Sequence, residues 1–198
     1  MSAPLLVLGL GNVLCADDGA GVEAVGRLER EFVVDPAVRV LDGGTLGLAL
    51  LPYLENAERA LLVDAVVSSE PPGTILRAQG DEVPVVAQQK LSCHQIGVAE
   101  LLECARLIGA TPEITLIGIV AASVESLGAP SIEVTSRIDQ LVDCVVEEIR
   151  RCGFAVQPRH EMPRPDTRNA TGDRIANDET RDRNDAGHAG TIDRHRWM

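Results

Sequence analysis

The chain has 198 residues, of which 45% are hydrophobic and only 2% aromatic, and its formal net charge is −12. That length suits one domain with a tail, with a core packed from Val, Leu, Ile and Ala rather than from rings. Residues 1–156 hold 10 basic and 22 acidic side chains and residues 157–198 hold 8 of each, so the body alone is acidic; this argues against nucleic acid and anionic membranes and leaves room for a cation or a basic partner.

No apolar run reaches membrane-spanning length and no basic region precedes the first one, so a cytoplasmic protein is expected. The five cysteines (Cys15, Cys93, Cys104, Cys144 and Cys152) are odd in number and lack a C-x-x-C pair. Reduced thiols fit that pattern better than a disulfide framework or a structural zinc site.

In chain order, the apolar run 5–8 meets Gly9-Leu10-Gly11-Asn12, then Asp17-Asp18, Gly19 and Gly21, which predicts strand, loop and helix. A dinucleotide-binding turn would need a third glycine where Leu14 stands, and acids beside a phosphate oppose that reading. A helix is expected over 17–32, with Val22, Val25, Leu28 and Phe32 on one face, Asp17 as N-cap and Asp18 in the first turn. A second strand, 38–41, closes on Asp42-Gly43-Gly44-Thr45, and 46–54 is a short helix.

The run 59–67 is a strand buried on both faces, with Asp64 at its end. After Pro71-Pro72-Gly73 comes an edge strand, 74–77, expected antiparallel to the strand before it, and 79–90 is a loop. Ser92-Cys93-His94-Gln95 matches a capping box opening a helix with Val98, Leu101, Leu102 and Ala105 on its apolar face, stopped by Gly109 and Pro112. A buried strand, 114–120, a long loop and a last helix, 133–152, complete the body; Ile138, Leu141, Val142, Val145, Val146 and Ile149 form that helix's apolar stripe and Gly153 its stop. From 157 the chain is charged and nearly devoid of apolar residues, so a disordered tail is expected over 157–198.

These elements define an α/β domain over 1–156: three layers, a twisted and mostly parallel sheet of about five strands, and helices on both faces. Ligands in such folds gather beyond the C-terminal ends of the strands, where Asp18, Asp42 and Asp64 fall. His94 opens a helix, whose dipole keeps its ring neutral and able to donate a lone pair. Two carboxylates and an imidazole suit a divalent cation such as nickel or zinc, with positions left for substrate or water.

Plainer readings stand beside these. Capping accounts for Asp17, a solvated strand end accounts for Asp64, and Asp42 can belong to a simple turn. No G-x-S-x-G elbow is present, and adjacent helical residues do not face each other, which places His94 poorly to activate Cys93.

The ordered set Gly9 to Asn12, Asp17 to Val22, Leu41 to Thr45, Val63-Asp64-Ala65 and Ser92 to Gly97 resembles the hydrogenase maturation endopeptidases, over about residues 5–153. The resemblance implies a twisted α/β sheet and an aspartic-type endopeptidase that removes the C-terminal extension from a nickel-iron hydrogenase large-subunit precursor. It also implies that Asp18 (where the family also uses Glu), Asp64 and His94 are metal ligands. The metal is nickel, already loaded in the precursor, so cleavage follows metal insertion. No organic cofactor is implied. Asp42 corresponds to a segment tied to cleavage, as a base or a peptide-orienting group. The alternative is a non-catalytic metal-binding chaperone of the same precursor.

Overall fold

Residues 3–87, 97–124 and 127–161 are described by the computed structural model. Thirteen regular elements follow one another: β1 (Ala3–Leu10), α1 (Ala20–Glu31), β2 (Phe32–Val34), β3 (Val38–Gly44), α2 (Leu51–Glu55), β4 (Ala57–Val66), β5 (Ile75–Gln79), α3 (Glu82–Ala87), α4 (Val98–Leu107), β6 (Glu113–Val120), α5 (Ile132–Thr135), α6 (Ile138–Arg151) and β7 (Val156–Pro158). Short 3-10 turns at Ala16–Gly19, Gly47–Leu50 and Arg159–Glu161 complete the set.

Five strands form one sheet in the order β3-β1-β4-β6-β5. β3, β1, β4 and β6 run parallel, because each returns through a crossover that carries a helix. β5 is antiparallel, as expected, but it pairs with β6 rather than with β4, since β6 inserts between them. The mostly parallel, three-layer α/β architecture is as the sequence implies.

Alternation along the central strands divides the core in two. Leu5 and Val7 of β1 join Leu61 and Val63 of β4 beneath α1 and α6, where Leu28, Leu141, Val145 and Ile149 pack. Leu6, Leu8 and Leu10 join Leu62 on the opposite face, beneath Leu50, Leu54, Leu101 and Ala105. Each fully buried Leu contributes about 2 kcal/mol of apolar transfer, and the largest fully buried side chains are all Leu or Ile. A sheet buried on both faces accounts for continuous apolar runs with few rings.

Several elements differ from expectation. The helix expected to open at Ser92 has Gly97 as its N-cap residue, in an extended conformation, and begins at Val98. Ser92, Cys93, His94 and Gln95 lie outside the described residues, as does the charged segment from 162 onward. The stretch 79–90 contains α3 rather than loop alone. The last helix is two: Ser131 caps the four-residue α5, and α6 starts afresh at Ile138 with its whole expected stripe buried. β2 and β7 pair antiparallel away from the main sheet, so Gln157 and Pro158 belong to the folded unit, past the boundary at 156. Among the described residues no helix is long and apolar enough to cross a membrane.

Candidate active site

β1 is the hub of the site. Its Gly9 pairs with Asp42 of β3 on one side and with Val63 of β4 on the other. One strand spacing, roughly 4.8 Å, separates each neighbour from Gly9, so the carboxylates after or near these three strand ends share one edge of the sheet.

The loop that leaves β1 is held unusually close to the sheet. Gly11 has φ +116°, and a Cβ there would meet the Asp18 carbonyl oxygen at 1.7 Å. A Cβ on Gly21 would meet the Val63 carbonyl oxygen at 2.1 Å. The glycines of this opening stretch therefore serve close backbone packing, not phosphate binding. They set Asp18 on top of β1 and the first turn of α1 against β4, one residue before Asp64.

Asp18 is buried in the 3-10 turn Ala16–Gly19, and its Oδ2 accepts the Asn12 N–H at 2.7 Å. Asp64 is also buried, two residues before the end of β4, in register with Gly118 of β6. It shares the strand face of Ala60, Leu62 and Val66, the side covered by α4. The segment carrying His94 leads directly into α4, but His94 itself is outside the described residues.

Asp42 is exposed. It lies within β3, not in a turn, beside an irregularity at which Leu10 pairs with Gly44 and Gly43 is passed over. By strand alternation it shares the face of Val38 and Val40, the α1 side, opposite to that of Asp64. Among the described residues no group of three His, Cys, Asp or Glu side chains is gathered to hold a metal ion. Of the expected triad, the described members are two buried carboxylates at adjacent strand ends, a donor set that suits a cation.

Asp17 was expected to cap α1, and the structure gives it another role. The N-cap residue of α1 is Gly19, without a side-chain cap, because a 3-10 turn precedes the helix. Asp17 is wholly buried, and its carboxylate bonds to the loop after β6. Oδ1 accepts the Ser131 N–H at 2.7 Å; Oδ2 accepts the N–H groups of Ala122 (2.8 Å) and Ser123 (3.2 Å) and the Ser131 hydroxyl (3.0 Å). Charge-assisted bonds of this kind are strong. Ser131 is thus a supporting residue that sequence reasoning missed, since no local pattern signals a contact across 114 residues, and Asn12, singled out only as part of the opening motif, is the one whose N–H holds Asp18.

Close strand-to-helix packing at glycine and two buried carboxylates at the sheet edge define an α/β protein with an acid-lined site. Comparison with known proteins names the class. The hydrogenase maturation protease family (HycI) matches residues 22–151. The hydrogenase 2 maturation protease of Escherichia coli strain K12 is 35% identical over 164 residues, 80% of this chain and 98% of that protein. The hydrogenase expression/formation protein HupD of Rhodobacter capsulatus is 41% identical over 157 residues, 77% of this chain and 74% of that protein. Among solved structures, the hydrogenase maturating endopeptidase HybD from Escherichia coli superposes with a TM-score of 0.74 at 34% identity, over 82% of this chain and all of that one. The chain belongs to the hydrogenase maturation protease family and is an endopeptidase.

Proposed function

We propose that this endopeptidase removes the C-terminal extension of a nickel-iron hydrogenase large-subunit precursor once nickel has been inserted, and that Asp18, Asp64 and His94 recognise the nickel held by the precursor. The observation that carries the reading is the pair of buried carboxylates. Two carboxylates brought to one ligand-binding edge of the sheet are oxygen donors of the kind that divalent cations take.

In this reading the metal arrives with the substrate. Asp18, held by the Asn12 N–H, offers a fixed oxygen rather than a mobile one. Asp64 adds a second from the adjoining strand, and His94 supplies a nitrogen from the segment before α4. A precursor without nickel lacks the positive charge these groups are built to meet, and so does not seat productively. Bound nickel can orient the precursor, polarise the scissile carbonyl or lower the pKa of a water. Asp42, exposed and on the other face, is assigned to the peptide rather than to the metal: it orients the chain to be cut or accepts a proton from the attacking water.

The test is mass analysis of a purified nickel-loaded precursor after incubation with the full chain. A shortened product is expected from wild type, and none from folded Asp64→Asn or His94→Ala variants. Precursor loaded without nickel should stay uncut. Normal processing by either variant would remove its residue from the ligand set.

A further inference from the structure

Four large apolar side chains stand in solvent beside the candidate site: Val13 (62% exposed), Leu14 (67%), Leu127 (79%) and Ile132 (77%). Single exposed aliphatics are common, but Val13, Leu14 and Leu127 belong to two loops that are tied together, and Ile132 opens α5 at the end of the second. Cys15 and Gly128 form a parallel bridge, with the Gly128 N–H donating to the Leu14 carbonyl and the Ala16 N–H donating to the Gly128 carbonyl, both at 3.2 Å. The buried Asp17 carboxylate fastens the same two loops through Ala122, Ser123 and Ser131. Leu14 precedes Asp18 by four residues, and Ile132 follows Ser131 directly. The apolar side chains are therefore fixed to the scaffold that holds the site's carboxylate.

We propose that this two-loop face is a docking surface for the protein substrate, and that it seats an extended, apolar and acid-free segment of the precursor adjoining the bond to be cut. The proposal rests on the processing function above. Two features select this occupant. Leu14 stands four residues before Asp18 on the same loop, and Leu127 adjoins the Gly128 bridge to that loop, so a peptide reaching Asp18 at roughly 3.3 Å per residue meets these side chains within a few residues of the scissile bond. The body's excess of acids disfavours an acidic segment, and the four aliphatic side chains favour an apolar one. Because hydrogen bonds already hold the loops, docking costs little ordering of the enzyme.

The experiment compares initial processing rates of the nickel-loaded precursor by wild type, the double variant Leu14→Ser/Leu127→Ser, and the control Leu107→Ser. Leu107 is 73% exposed at the far end of α4. The double variant should keep the wild-type melting temperature and kcat while its KM rises about tenfold or more; the control should match wild type throughout. An unchanged KM in the double variant, with Asp64→Asn inactive, overturns the docking surface and leaves the processing function standing. If wild type leaves the precursor uncut, the processing reading falls, and direct binding to the same precursor decides: wild-type affinity in the double variant overturns the proposal, and a tenfold loss supports it. A wild-type dimer in sedimentation that the double variant splits would also overturn it, by making the face a contact between copies.

Discussion

At Gly21 the first turn of α1 lies on β4 with no room for a methyl group: the added carbon would stand 2.1 Å from the Val63 oxygen and 2.5 Å from that of Leu10. Both obstacles are backbone, so neither can rotate aside. Gly21→Ala is expected to lift the helix from the sheet and to cost about 2–3 kcal/mol in urea denaturation. Because the 3-10 turn that carries Asp18 leads directly into α1, the part that stays folded should process precursor poorly. Asp64 could be picked out from sequence as a carboxylate set in a long apolar run near a ligand-binding edge, and Asp18 as the second acid of a pair of which capping needs only one. The role of Asp17 could not. Its position suits a cap, and the groups that satisfy it lie 105 to 114 residues further on.

Among the elements, α6 is fastened to the sheet edge by one buried acid. Glu148 accepts two bonds from Arg77 of β5, at 2.8 and 2.9 Å, and one from Arg151 at 2.6 Å. The hydrogen-bonded Arg77 guanidinium, with the charges of both arginines, holds the Glu148 carboxyl below its ordinary value against the opposing effect of burial. A depressed folded-state pKa gives stability that is fully present above the unfolded value near 4.5 and is lost as pH falls through the folded one. Glu148→Gln should therefore cost about 2 kcal/mol near neutrality, modest for a buried ion pair because both arginines reach solvent. That difference should shrink below pH 4.5 when melting is followed against pH.

The long elements were legible because β1, β4 and β6 are apolar on both faces and α6 carries an unbroken stripe. β2 and β7 were not, since three-residue strands leave no period and these pair across more than 120 residues. α3, a six-residue helix with a proline inside, was equally hidden. The partner of β5 is a matter of strand order, which a short connection cannot reveal.

At the scale of the molecule, the first compact unit spans Met1–Met162 and contains the whole region matched by the family. A chain ending at Met162 is expected to melt with the full-length protein. A chain ending at Ala155 loses the buried Val156, the β2–β7 ladder and the Arg159 bonds to the Glu29 carbonyl. It should be weaker by about 2 kcal/mol and melt roughly 4–8 °C lower by calorimetry. The Asp17 tie between the first loop and Ser131 has a further consequence, in time rather than in space. The loop bearing Asp18 leaves the ribosome early, and the serine that fastens it is made 114 residues later. At about 5–20 residues per second the loop waits roughly 6–23 s. A nascent chain carrying β1 to β5 thus lacks the anchor for its first carboxylate. The scaffold that carries Asp18 is therefore complete only once translation has passed β6 and reached Ser131.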